Sequence, residues 1–255
     1  MHALIIRIHR MKDCDAVIDW LLETDRMMTT YAAHIQGTKA YPNGLELMNV
    51  YEVEMSQRPD QNMARLHSAY SLERFDHIIE DLNAFACAST ALELIANVCP
   101  KDATVIDLLT TLLSTFAVMN TASDLSSTVL AWFECFVLQQ LGAMPNLEMC
   151  AQCASSLQKS EWFQQEMGFL CPHCANHQTN LPAFVLDAVR RLRYQSLRVT
   201  VQNSLSKNRS EVQKIRILSP VLKFLAAVMR DNSPICHLKA HRFMGETVLG
   251  DPNWI

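Results

Sequence analysis

A chain of 255 residues is long enough to bury a sizeable core and to form two or three modules. Its hydrophobic fraction of 49% and charged fraction of 19% exclude a disordered protein, and its six glycines argue against a glycine-rich nucleotide-binding fold. The net charge of −4 is small, and no apolar run is long enough to span a bilayer, so we expect a cytoplasmic protein.

The first 58 residues have the pattern of short β-strands. HALIIRIHR alternates in part between apolar and polar residues, and the β-rich runs AVIDWLLET and RMMTTYAAHI are separated by turn-prone residues 23–25. LMNVYEVEM follows the break QGTKAYPNG. Short strands at this spacing predict a small closed or nearly closed antiparallel barrel over residues 1–58.

The period of the apolar residues changes to that of helices at about residue 60. Leu66 and Tyr70 begin a series at three- and four-residue spacing that continues to Leu82, and further apolar helical segments follow until Gly142. We therefore predict a bundle of about four helices over residues 59–148.

Two cysteine pairs, CAQC and CPHC, form the densest motif of the chain and are separated by seventeen residues. Each pair is a tight turn that aims two thiolates at one point, and the spacing lies within the range of zinc ribbons, so residues 149–178 are predicted to be a zinc-ribbon-like insertion. The predicted ligands of one structural Zn²⁺ are Cys150, Cys153, Cys171 and Cys174. Four thiolates leave no open coordination position for catalysis. A thiol redox centre is the alternative, although neither pair precedes the kind of helix that such a centre needs.

The remaining residues, 179–255, are predicted to be basic helices that pack on the bundle. FVLDAVRRLRY and residues 210–231 have helical patterns, Pro220 is expected to break or kink the second helix, and QNSLSKNRS is the most loop-like segment. Residues 1–149 hold 9 Lys and Arg against 19 Asp and Glu, whereas residues 150–255 hold 13 against 7. This division suggests a polyanionic partner for the basic part, or a basic and an acidic module that pack together.

The order of these modules resembles the bacterial RecO recombination-mediator family along essentially the whole chain. FECFVLQQLGAMPNLEMCAQC looks like the family's helix ending in leucine-glycine, followed by proline, leucine and the first cysteine pair. MGFLCPHC is similar to the second pair, CHLKAHRFM to the C-terminal segment, and IQGTKAYPNGLELMNVYEVE to a loop between barrel strands. The resemblance implies an α+β protein with an N-terminal oligonucleotide/oligosaccharide-binding (OB) fold barrel, a helical bundle and an inserted four-cysteine zinc-ribbon-like module.

The resemblance also implies a role in DNA repair and recombination. Members of the family bind single- and double-stranded DNA, anneal complementary strands, and contact RecR and single-stranded-DNA-binding protein (SSB). They help to load RecA onto SSB-coated single strands, which implies association with the nucleoid and no enzymatic activity. A protein-interaction adaptor with weak or lost DNA binding is the alternative, because the barrel loop QGTKAYPNGLE keeps only one cation.

Five basic side chains are the candidates for contacts with DNA phosphates. They are Lys39, Arg190, Arg193, Lys239 and Arg242. The lysine of the barrel loop lies beside Tyr41, which could stack on a base. The two arginines share one face of a predicted helix, and the last two residues belong to the segment that resembles the family's C-terminal tail. Each of them could instead lie on a solvated surface or form a salt bridge.

Overall fold

The computed structural model describes residues 1–35, 38–58, 63–99, 104–157, 162–164, 168–175, 184–206, 211–232 and 239–249. The chain divides into two compact units, Met1–Ser123 and Asp124–Ile255. The helices that the sequence predicts between residues 59 and 148 are therefore shared between the two units.

The first unit begins with a closed barrel of five strands. The strands are β1 (His2–Arg10), β2 (Ala16–Leu22), β3 (Met27–Ala32), β4 (Asn49–Ser56) and β5 (Ala64–Arg74). They are neighbours in the order β1-β2-β3-β5-β4, and β4 closes the barrel against β1. All pairs are antiparallel except β3 and β5, which run parallel. This order is the five-stranded Greek-key barrel of the OB fold.

Alternate residues of the strands fill the interior of the barrel. The largest of them are Trp20 and Tyr51, which are almost fully buried and meet edge to face with their ring centroids 5.8 Å apart. The indole Nε1 of Trp20 donates a hydrogen bond of 2.8 Å to the Oγ1 atom of buried Thr30. The interior of the barrel is therefore a packed core, and its largest side chain, Trp20, has a hydrogen-bond acceptor for its N–H group.

The barrel extends beyond the predicted limit at residue 58. Residues 64–74 form β5, so the helical pattern that Leu66 and Tyr70 suggested is wrong for this segment. The pairing with β4 shifts register where Met55 faces Leu66 and Glu54 faces Ser68, and the extra residue between them is a β-bulge. The four-residue spacing from Leu66 to Tyr70 does not mark one buried face, because Leu66 is buried whereas Tyr70 is 50% exposed.

Among the described residues of the first unit, three α-helices follow the barrel: α1 (Asp76–Glu80), α2 (Leu82–Val98) and α3 (Leu108–Thr121). The side chain of Asp81 caps α2 by accepting a hydrogen bond of 2.9 Å from the N–H group of Ala84. The first turn of α3 is capped from the barrel, because the carboxylate of Asp25 between β2 and β3 accepts hydrogen bonds of 2.8 Å from the N–H groups of Asp107 and Leu109. This contact ties the barrel to the helices that follow it.

The described residues of the second unit form helices and one small hairpin. Its elements are α4 (Ser126–Gln140), β6 (Trp162–Gln164), β7 (Gly168–Leu170), α5 (Phe184–Tyr194), α6 (Leu197–Leu205), α7 (Glu211–Asn232) and α8 (Lys239–Thr247). Helix α4 lies at the centre and packs against α5, α6 and α7. Gly142 follows α4 with a left-handed φ of 67°, as expected of a glycine that ends a helix.

The structure changes two sequence predictions for the second unit. The first four residues of the loop-like segment QNSLSKNRS lie in α6, which the side chain of Ser196 caps by accepting a hydrogen bond from Val199 N. Helix α7 continues through Pro220, so the predicted break does not occur, and the kink that the sequence also allowed stays a prediction. In the part of the chain that the structure describes, no helix combines the length and the apolar character needed to cross a membrane.

Candidate functional site

The cysteines of CAQC and CPHC form a single cluster in the second unit. The Sγ atoms of Cys150, Cys153, Cys171 and Cys174 all lie within 4.8 Å of one another, and those of Cys153 and Cys171 are 3.6 Å apart. Four thiolates at the usual zinc–sulfur distance form a tetrahedron with edges of about 3.8 Å. The cluster therefore has the size and the chemistry to hold one metal ion.

Two tight backbone turns bring these thiols together. In the first turn the N–H group of Ala154, whose φ of 57° is left-handed, donates to the carbonyl of Cys150 at 2.9 Å. In the second turn the N–H group of Cys174 donates to the carbonyl of Cys171 at 3.0 Å. The turns are joined where the N–H group of Cys171 donates to the Sγ atom of Cys150 at 3.3 Å. Backbone donors that point at sulfur favour thiolates.

The protonation of the thiols agrees with a metal-binding role. A hydrogen bond with the side chain of Ser155, aided by the backbone of Cys174, lowers the pKa of Cys171 to about 6. Burial raises the pKa of Cys150, but hydrogen bonds from nearby backbone N–H groups lower it by more, so the net shift is downward. The pKa of Cys174 is raised to about 12, and the main cause is the hydrogen bond between its thiol and the sulfur of Cys153. A metal ion binds cysteine as the thiolate, so binding at this cluster would release protons.

Arg190 of α5 anchors the segment that carries the first cysteine pair. Its Nε donates to the carbonyl of Leu147 at 2.9 Å, and its Nη2 donates to the carbonyls of Leu147 and Leu157, the latter at 3.2 Å. These two buried leucines stand on either side of CAQC. The guanidinium also lies near the carboxylates of Glu148 and Asp187, at 3.5 and 3.9 Å. Only 20% of the Arg190 side chain is exposed, so most of its donors serve the protein itself.

This role of Arg190 was not predicted from the sequence, although its position next to the apolar residues of α5 indicated it. Leu186 and Val189 are buried, and residue 190 lies four positions after the first of them and one after the second. It therefore stands at the edge of the apolar face of α5, where a long side chain can reach a neighbouring segment.

The other candidate phosphate contacts lie on three separate elements. Arg193 shares α5 with Arg190, but its Nε is buried and its guanidinium carbon lies 5.2 Å from the ring centroid of Tyr194. Lys239 and Arg242 are exposed on α8, where Arg242 Nε contacts the carboxylate of Glu246 at 2.7 Å. Hence neither pair forms a row of unengaged cations.

Lys39 is exposed in the loop before β4, but its neighbour does not have the predicted role. Tyr41 is buried, and its hydroxyl donates a hydrogen bond of 3.1 Å to the carbonyl of Leu66 in β5. The prediction that this ring could stack on a base is therefore wrong, because the ring is part of the barrel core.

Comparisons with known proteins agree with this architecture. The family model described as Recombination protein O C terminal matches residues 79–223, more than half of the chain, and this match includes the cysteine cluster. The DNA repair protein RecO of Dehalococcoides mccartyi (strain CBDB1) is 27% identical over 233 residues, which cover 90% of this chain and 87% of that protein. The protein of the same name from Anaeromyxobacter sp. (strain K) is 28% identical over 166 residues, which cover 60% and 65% of the two chains. The chain therefore belongs to the Recombination protein O (RecO) family.

Proposed function

We propose that the chain is a DNA repair and recombination mediator that binds single- and double-stranded DNA and promotes the annealing of complementary strands. With RecR, it would help to load RecA onto SSB-coated single strands, acting at the nucleoid and by joining partners rather than by catalysis. The observation that carries this proposal is that an OB-fold barrel precedes the helices and the four-cysteine cluster in a chain of the RecO family.

The charge distribution gives the proposal a physical basis. Binding to DNA depends on cations that release counterions from the phosphates, and the 13 basic residues of residues 150–255 exceed the 7 acidic ones. Residues 1–149 are acidic, so the barrel would contribute through its shape and its polar groups more than through net charge. The basic helices would therefore supply much of the phosphate contact.

We infer that the cysteine cluster holds one structural Zn²⁺. Four thiols at tetrahedral spacing support this, since thiolate ligands select zinc and leave no position open for substrate. The metal would cross-link the two cysteine turns. Metal analysis of the purified chain should find one zinc per chain, and Cys153→Ser should reduce that content. A metal-free chain with rapidly reactive thiols would instead favour the redox alternative.

Strand annealing tests the proposed function directly. Complementary strands labelled with a fluorescence donor and acceptor are coated with SSB and mixed with the chain, and energy transfer reports duplex formation. We expect faster annealing than with SSB alone, with the rate falling as salt rises. Annealing at the rate of SSB alone over the whole salt range would contradict the proposal.

The adaptor remains the second candidate function because the barrel loop keeps only Lys39 and the surrounding barrel is acidic. An adaptor would bind SSB or RecR in a pull-down experiment without binding labelled DNA at low salt. The mediator would bind both the protein partners and the DNA.

A further inference from the structure

The junction between α5 and α6 presents an exposed aromatic ring among arginines. The side chain of Tyr194, the last residue of α5, is 64% exposed. Arg191, one turn earlier, and Arg198, in the first turn of α6, are also exposed. Residues 184–206 contain four arginines and a single acid, Asp187, so this segment is basic. We call Arg191, Tyr194 and Arg198 the α5–α6 edge.

The backbone of the α5–α6 edge is held in place from several sides. The indole Nε1 of Trp132 in α4 donates a hydrogen bond of 2.8 Å to the carbonyl of Gln195, the residue directly after the tyrosine. Ser196 caps α6, and the N–H group of Gln195 donates to the carbonyl of Arg191 at 3.0 Å. The exposed ring therefore lies on an ordered turn. Less conformational entropy of the protein would be lost when a ligand binds there.

The chemistry of the edge fits an unpaired strand of nucleic acid. The guanidinium carbon of Arg193 lies 5.2 Å from the Tyr194 ring centroid, which is a cation–π contact, and the ring still remains largely open to solvent. Proteins that bind single strands combine aromatic side chains, on which bases stack, with cations along the phosphate backbone. In a duplex the bases already stack on each other, so an exposed ring favours the single strand.

We propose that the α5–α6 edge binds single-stranded DNA, with Tyr194 stacked on one base and with Arg191 and Arg198 at the flanking phosphates. This inference rests on the proposed function and deepens it by naming the strand form and the residues. It also divides the arginines of α5 by role. Arg190 anchors the cysteine segment, Arg193 covers part of the ring, and Arg191 faces the ligand.

Stacking is tested with two oligomers on the full-length chain. Fluorescence anisotropy measures the affinity for a labelled oligothymidine and for an oligomer of the same length without bases. Tyr194→Ala should weaken binding of oligothymidine about five- to a hundredfold, the usual effect of losing one base–aromatic stack. Tyr194→Phe should bind like the unaltered chain, and Tyr194→Ala should leave binding of the abasic oligomer unchanged.

A matched aromatic control lies on the same helix. Phe184 is 38% exposed at the beginning of α5, about 15 Å from Tyr194 along the helix axis. Phe184→Ala should leave both affinities unchanged. The thermal unfolding midpoint of each variant is measured beside the affinities, because an equal loss for both oligomers would mean a structural defect and would overturn the stacking role.

The arginines are tested by the salt dependence of binding. A plot of log affinity against log salt concentration has a negative slope. Arg191→Gln and Arg198→Gln should each make this slope less steep by about 0.7, the value for one phosphate contact on a single strand. Arg26→Gln is the charge control, because it removes an exposed cation of the barrel and should leave this slope unchanged.

The outcomes separate the inference from the function on which it rests. If the unaltered chain binds oligothymidine and the variants of the α5–α6 edge bind equally well, the inference is overturned while the proposed function stands. If the unaltered chain binds no DNA at low salt, the proposed function fails first and the inference fails with it.

Discussion

Replacing Arg190 with methionine should loosen the segment that carries Cys150 and Cys153. Methionine keeps the apolar stem of the side chain but removes the donors to the carbonyls of Leu147 and Leu157. A hydrogen bond from a charged donor contributes about 1.5–3 kcal/mol, so two lost acceptor contacts correspond to roughly 2–4 kcal/mol after partial replacement by water. The ion pairs with Glu148 and Asp187 add little because both carboxylates are substantially exposed.

The rate of metal release measures this loss. A loss of 2 kcal/mol or more corresponds to a change of at least about thirtyfold, so Arg190→Met should release the proposed zinc to a chromogenic chelator at least that much faster. Arg190→Lys should release metal at a rate between those of the unaltered chain and Arg190→Met. A single ammonium group cannot reproduce the planar guanidinium that reaches both carbonyls. Arg26→Met, which removes an exposed arginine of the barrel, should release metal at the normal rate.

The reasoning would be refuted if Arg190→Met released metal at the normal rate and unfolded at the normal temperature. A variant with normal metal retention but weakened DNA binding would return Arg190 to the role that the sequence suggested, a direct contact with phosphate.

Substitutions at three residues test the first unit. Asp25→Ala should lower the free energy of unfolding in urea by about 1–3 kcal/mol, because it removes the cap of α3 and places alanine at a left-handed φ. Asp25→Asn should lose less stability. Equal stability of the unaltered chain and both variants would exclude the cap. Tyr31→Phe should raise the pKa of Asp15 toward 3.8, because the hydrogen bond from Tyr31 is the main cause of its lowered pKa, and an unchanged carboxyl titration by NMR would contradict this. Asp15 therefore stabilises the fold above its ordinary pKa, an effect that is lost as pH falls through its lowered folded pKa and that the variant should show more weakly. Thr30→Val should cost about 1–3 kcal/mol in thermal unfolding because it leaves the buried Trp20 Nε1 without its acceptor, and a normal midpoint would argue against that hydrogen bond.

Features with a local pattern were predictable from the sequence. Runs rich in β-forming residues and separated by turn residues predicted the first four strands, Gly142 ends α4, and the spacing within and between CAQC and CPHC predicts that the four thiols meet in one cluster. These patterns depend on backbone geometry over a few residues, so they can be recognised without knowledge of distant contacts.

Features that depend on distant partners were not predictable in this way. Tyr41 is buried in the core of the barrel, and its hydroxyl donates to a carbonyl twenty-five residues later, in the strand β5 that had a helical pattern in the sequence. Arg190 turns toward carbonyls that lie 43 and 33 residues earlier in the chain. A cation in a basic sequence looks like a phosphate ligand until its acceptors are known, and only the fold supplies them.

The measurement that tests the central claim most directly is a titration of labelled single-stranded DNA with the full-length chain over a salt series, with and without a chelator. The account predicts binding at low salt whose logarithmic affinity falls linearly with the logarithm of salt concentration, and weaker binding when the metal is removed. Absence of binding at low salt, or an affinity that does not change with salt, would contradict it.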